Sequence, residues 1–209
     1  MPHIVLLGDS IFDNVAYVRG GLPVTDQLRD ILPADWRVTL LAVDGSVTGD
    51  LSHQLDQLPA DATQLVVSVG GNDAYNASAI LGERVVSVAD ALHLLAAIQA
   101  RFRVDYERAL GMMAKPGKPT AVCTVYDSIP GLGNAERAAL ALFNDVILRS
   151  AFKSGLPVID LRPVCTDTED FSDVSPIEPS VAGGAKIARV IAGVTTNHDF
   201  TRALSTVYA

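Results

Sequence analysis

The chain has 209 residues, 49% of them hydrophobic, and a formal net charge of −8 at pH 7. That length suits one sizeable core, and an acidic balance with no basic run argues against nucleic acid or an anionic membrane as a partner. No apolar stretch is long enough to suggest a membrane span. Met1 leads straight into a strand-like run without a charged and apolar leader. Cys123 and Cys165 lie far apart and read as reduced core thiols rather than a disulfide or metal pair. The cytoplasm is the expected compartment.

Taken in chain order, Ile4-Val5-Leu6-Leu7 is too short and too β-branched for a helix and reads as a buried strand. It ends at Gly8-Asp9-Ser10. Thr25 is a candidate N-cap for a helix through Leu28, Ile31 and Leu32 that Pro33 closes. Residues 38–43 form the second expected strand, ending at Asp44-Gly45-Ser46, and Thr48 is a candidate cap for a helix carrying Leu51, Leu55 and Leu58 on one face. Residues 65–69 form the third strand, ending at Gly70-Gly71-Asn72-Asp73. A long helix is expected from about 87 to 114, a fourth strand over 120–125, and a Gly/Pro loop over 127–134. A helix over 135–153 follows, with Gly155 at its C-cap. The fifth strand is 158–160, and the last helix runs over 181–192 after a polar acidic loop.

Strands alternating with helices predict an α/β domain with a parallel sheet covered on both faces. Right-handed crossovers favour a doubly wound, five-stranded arrangement. No repeat, linker or low-complexity tract divides residues 1–209, so a single domain is expected.

In a doubly wound sheet the C-terminal ends of the strands share one crevice, which gathers Ser10, Gly45, Asn72 and the segment near Glu178. Acyl transfer needs a nucleophile, a base and donors for the oxyanion. Ser10 supplies a hydroxyl; the N–H groups of Ser10 and Gly45 and the side-chain amide of Asn72 are suitable donors.

With these blocks in this order the chain resembles the SGNH/GDSL hydrolase family over essentially the whole domain. Gly8-Asp9-Ser10 matches the nucleophile block, Gly45 the glycine block, and Gly71-Asn72-Asp73 the block whose asparagine lines the oxyanion hole. The resemblance implies a flavodoxin-like sheet, hydrolysis of small-molecule esters, sometimes thioesters or amides, and no metal or organic cofactor.

The fourth block departs from the family pattern. The family carries an Asp, two residues, and a His followed by Pro before the last helix; here Pro179, Ser180 and Gly183 align after a position occupied by Glu178, and Ser175 occupies the Asp position. Three readings follow. Glu178 is itself the base, with burial or a neighbouring carboxylate, Asp173 or Asp170, lifting its pKa above the ordinary value of about 4.3. A histidine enters from elsewhere, among His3, His53, His93 and His198; His3 starts the first strand, well over 15 Å from Ser10 at roughly 3.3 Å per residue. Or the fold persists with impaired catalysis and binds an acylated ligand or protein partner.

The principal expectation is a serine esterase acting on small acyl or aryl esters. Its catalytic group is Ser10, Glu178 and Asp173, with Ser10, Gly45 and Asn72 as the oxyanion hole. Asp9, Asp73 and Tyr126 are candidate substrate-binding residues. Each has a plainer alternative: Asp9 in the turn, Asp73 at a helix start, Tyr126 in packing. Tyr17 and Tyr75 are further candidate walls, and Asn144-Asp145 reads as a polar face or loop anchor.

Overall fold

The computed structural model describes all 209 residues. Six parallel strands form one sheet: β1 (His3–Gly8), β2 (Arg37–Leu40), β3 (Gln64–Ser68), β4 (Thr120–Cys123), β5 (Val158–Ile159) and β6 (Val207–Tyr208), in the order β2-β1-β3-β4-β5-β6. The helices are α1 (Val24–Ile31), α2 (Leu51–Leu55), α3 (Gly71–Ala77), α4 (Val88–Ala114), α5 (Asn134–Lys153), α6 (Leu161–Val164) and α7 (Val181–Asn197). Strand order reverses at β1, whose neighbours are β2 on one side and β3 on the other. The loops leaving β1 and β3 therefore part around a crevice at the C-terminal end of β1, and Ser10 sits there.

Alternation along β1 divides the core. Ile4 and Leu6 pack with Leu28 of α1 and with Ile187 and Ile191 of α7. Val5 and Leu7 face the opposite layer, with Phe102 of α4 and Ile147 of α5. Because both faces are covered, the strand reads as an unbroken apolar run.

The sheet has six strands where five were expected. The sixth is only two residues long, too short for a periodic signal. It is held where the Val158 N–H donates to Thr206 O and the Asp160 N–H to Tyr208 O. Other boundaries move for local reasons. β4 stops at Cys123 because the Asn144 side chain claims both backbone groups of Val125, each at 2.8 Å. β2 stops at Leu40, after which the Leu41 and Ala42 N–H groups both donate to the same Leu6 carbonyl. Thr25 lies inside α1 rather than capping it; the Val24 N–H is satisfied by Asn14 Oδ1 at 2.9 Å. Thr48 opens a 3-10 turn before α2 instead of capping the helix. α7 runs past residue 192, and its last turn is tied by Thr195, Thr196 and Asn197 side chains donating to carbonyls one turn back. No helix is long and apolar enough to cross a membrane.

Gly8 ends β1 with φ +127°, and a Cβ there would lie 1.7 Å from the Ser68 carbonyl oxygen. Only glycine lets β1 and β3 approach this closely at the site. Gly8→Ala is expected to destabilise the fold by more than about 4 kcal/mol, a size reserved for such backbone clashes. Urea unfolding checks this; an unchanged midpoint would contradict the close approach.

Candidate active site

The β1 loop is built around a paired amide. Gln54 of α2 is buried, accepts the Gly8 N–H at 2.7 Å and donates to the Gly8 carbonyl at 2.7 Å. Its amide also donates to Ser46 Oγ at 3.3 Å, tying the β1 and β2 loops together. Asp9 Oδ1 accepts the Ile11 N–H at 3.2 Å, closing the turn that carries Ser10. Asn14 reaches the opposite wall: its amide donates to the Pro179 carbonyl at 3.1 Å while its oxygen caps α1.

Glu178 approaches from the segment before α7. Antiparallel contact between Phe171 and Pro179, with the Ser172 N–H donating to the Glu178 carbonyl at 2.8 Å, fixes the segment. The buried Tyr126 hydroxyl donates to the Ile177 carbonyl at 2.7 Å. A Cβ on Gly183 would lie 2.1 Å from the Asp170 carbonyl, so the start of α7 needs that glycine to seat against the acidic loop.

Ser10 and Glu178 are both buried, at 6% and 4% exposure, and both line one cavity of about 300 Å³. Burial lifts the Glu178 carboxyl from 4.5 to about 7; the Ser10 hydroxyl, bonding to the charged form, pulls against this, and the Asp44 charge adds to the rise. The contact with Ser10 falls short of strict hydrogen-bond geometry, and Glu178 Oε2 has no partner. Contacts of this kind commonly tighten only when substrate binds. Asp9 lies in the same cavity, and burial raises it to about 8; the Ile11 N–H opposes the rise, and the Glu178 and Asp73 charges add to it.

The oxyanion candidates converge only in part. The Ser10 and Gly45 N–H groups donate to no other protein group. Asn72, at the start of α3, lines the cavity and uses one amide hydrogen on the Ser46 carbonyl at 3.0 Å, leaving the other for a ligand. Gly45 stands outside the cavity lining.

Several expected residues lie elsewhere. Asp173 is turned to solvent, 74% exposed at its side chain, and pairs with Arg19 at 3.0 Å. Asp170 is buried but occupied by the Thr166 and Asp167 N–H groups and the Lys186 ammonium. The structure therefore brings neither to Glu178, because the acidic loop folds back onto α7 and the β1 loop. Asp44 is the carboxylate that acts on Glu178, and Asp44 accepts the Tyr17 hydroxyl at 2.7 Å. Asp73 accepts the Thr48 N–H and hydroxyl, so it anchors a loop instead of facing a ligand. Tyr126 serves twice, holding the Ile177 carbonyl and lining the cavity; Tyr75 also lines it.

None of the four histidines lines this cavity. His3 is bonded to Asp61 and Thr39 at the far end of β1, and His198 meets the Tyr208 hydroxyl at 2.8 Å. Nowhere do three or more His, Cys, Asp or Glu side chains gather so as to hold a metal ion. Both cysteines are free and buried. Gln54 and Asn14 escaped the sequence reading. The signal for Gln54 is a lone amide between Leu51 and Leu55 on a helix face that is otherwise apolar; Asn14, beside Asp13 in a loop, carries no such signal.

Asp9 and Glu178 hold their protons more tightly folded than unfolded, against ordinary values of 3.8 and 4.5. Their contribution to stability is complete below about pH 4 and is lost as pH rises through about 7 to 8. Thermal unfolding is thus expected to shift downward between about pH 5 and pH 8. Asp9→Asn, which keeps an acceptor for Ile11, should remove most of that shift and raise Tm near pH 8 by roughly 4 °C or more. The same pH slope with and without Asp9 would contradict its burial as a neutral acid.

The GDSL-like lipase/acylhydrolase family model matches residues 6–186. A search of curated protein sequences finds no match. Among solved structures, a lipase/acylhydrolase from Enterococcus faecalis is similar at 22% identity and TM-score 0.65, covering 92% of this chain and 96% of its own. An extracellular lipase from Streptomyces rimosus is similar at 19% identity and TM-score 0.64, over 93% of this chain and 99% of its own. An acetylxylan esterase from Geobacillus stearothermophilus is similar at 17% identity and TM-score 0.63, over 96% of both chains. These likenesses concern the fold, while the family match spans most of the sequence. The chain belongs to the GDSL-like lipase/acylhydrolase family of carboxylic ester hydrolases.

Proposed function

We propose that this esterase works through an acyl-enzyme on Ser10 with Glu178 as the base. One observation carries the reading: a buried Glu178 carboxyl, lifted to about 7, faces the Ser10 hydroxyl in a cavity without histidine. As the Ser10 oxygen attacks the ester carbonyl, its proton passes to the carboxylate. The same carboxyl then donates that proton to the departing alcohol oxygen, leaving Ser10 acylated. Water attacks the acyl-enzyme next, giving a proton to Glu178, which returns it to the Ser10 oxygen as the ester bond to Ser10 breaks and the free acid departs.

The N–H group of Ser10 and the free amide hydrogen of Asn72, both at the cavity, are assigned to the oxyanion, with the unpaired N–H of Gly45, beyond the lining, as the expected third donor. Preorganised donors of this kind are each worth about a hundredfold or more in rate. Asp9 and Tyr126 shape the site, Asp9 by holding the Ser10 turn and Tyr126 by holding Ile177 beside Glu178. Asp173 takes no part in this scheme; burial, reinforced by Asp44, supplies the raised proton affinity in its place. A glutamate near its ordinary value would favour acidic conditions, but one raised to about 7 suits neutral solution. Two free, buried thiols are compatible with a reducing compartment, and the cytoplasm remains the proposed location.

The loose Ser10–Glu178 contact favours one rival, an acyl-binding protein with impaired catalysis. The two separate on p-nitrophenyl esters. Ser10→Ala is expected to lower kcat by at least about a thousandfold and Glu178→Gln by a hundredfold or more. Unchanged turnover in Ser10→Ala removes the nucleophile, and full activity in Glu178→Gln removes the base.

A further inference from the structure

α4 is 27 residues long, yet its buried residues begin only at Phe102. Its first half stands away from the sheet, and the cavity beside Ser10 fills the gap between that half and α5. Leu95 and Ile98 of α4 line it from one side, Leu140 and Phe143 of α5 from another, and Ile80 and Ile129 add further apolar wall. At roughly 30 Å³ for a water-sized group in a liquid, such a chamber seats on the order of ten non-hydrogen atoms.

Charge narrows the occupant. The lining includes the carboxyl groups of Asp9, Glu136 and Glu178 and no lysine, arginine or histidine. An anionic or strongly hydrated group gains nothing there, whereas an uncharged hydrocarbon chain loses only water. The other side of Ser10 is different in kind. Tyr17, Asp44 and the Asp13 carboxylate, which accepts the Asp44 N–H at 3.0 Å, form an exposed polar edge.

We infer that the chamber takes the acyl part of the ester, an uncharged medium-length hydrocarbon chain, while the alcohol leaves over the polar Tyr17–Asp44 edge. The inference rests on Ser10 as the nucleophile. The apolar wall sits on the β3–β4 side of the serine, and the polar edge on the β2 side, so one ester spans two unlike surfaces. An acetyl group leaves the chamber unfilled. Each added methylene finds apolar wall, and its burial multiplies kcat/KM by roughly fourfold until the space is full.

Two ester series test this in the intact protein. Across p-nitrophenyl acetate, butyrate, hexanoate, octanoate and dodecanoate, kcat/KM should climb by about fourfold per methylene to hexanoate or octanoate and then level or fall. Across ethyl, butyl, hexyl and octyl acetates it should stay within a few-fold. Acetate as the best acyl group, or a gain that follows the alcohol, overturns the assignment. Ile98→Trp, which fills the chamber, should lower the octanoate-to-acetate ratio at least about tenfold; an unchanged ratio in a folded variant counts against it. Calorimetric titration of Ser10→Ala with p-nitrophenyl octanoate and acetate reads the chamber without any turnover. At least about tenfold tighter octanoate binding supports the inference, and equal affinity overturns it. If wild type cleaves no ester while Ser10→Ala still prefers octanoate, the catalytic proposal fails and the chamber stands.

Discussion

A buried carboxyl group with no cation beside it is the constraint around which this site is arranged. Taking a charged carboxylate out of water is unfavourable enough that the group shifts its pKa instead. Glu178 does so, rising to about 7, with Ser10 as the neighbour that favours its charged form. Much of the nearby structure holds that side chain inside the protein. Tyr126 fixes the preceding carbonyl, Asn14 the following one, and Ser172 the carbonyl of Glu178 itself. The result is a carboxyl group whose proton affinity approaches that of imidazole, reached through burial rather than through the identity of the ring.

Side-chain amides set the positions of the loops that meet there. Gln54 pairs with both backbone groups of Gly8, and Asn144 pairs with both backbone groups of Val125. Each takes over where the sheet ladder ends, so the chain turns away without stranding a buried N–H or carbonyl. Asn72 on Ser46 and Asp73 on Thr48 connect the β2 and β3 loops in the same manner. The crevice is thus assembled from hydrogen bonds between residues far apart in sequence, on a sheet whose order reverses at β1.

What could be read from the sequence follows from the range of each interaction. The strands and the long helices are local patterns of apolar periodicity, and they survive in the structure; the blocks at Ser10, Gly45 and Asn72 each lie beyond the C-terminal end of a strand. Glu178 was legible because Pro179, Ser180 and Gly183 fix its register before α7. Asp173 was misplaced because the carboxylate that meets Glu178 depends on how the acidic loop folds, and Arg19, 154 residues away, draws Asp173 outward. The two-residue β6 has no period to detect, and its place is decided by β5. The apolar chamber was invisible for a related reason: the spacing along α4 marks apolar positions but does not tell which half of the helix packs on the sheet.

The central claim is that Glu178 removes the proton from Ser10. The rate at which a fluorophosphonate modifies Ser10, followed across pH, tests it most directly because no acyl pocket or leaving alcohol intervenes. With Glu178 as the base, the rate rises with pH through an apparent pKa near 7, as its carboxylate becomes charged, and loses this limb in Glu178→Gln. A wild-type profile that persists unchanged in Glu178→Gln would contradict it.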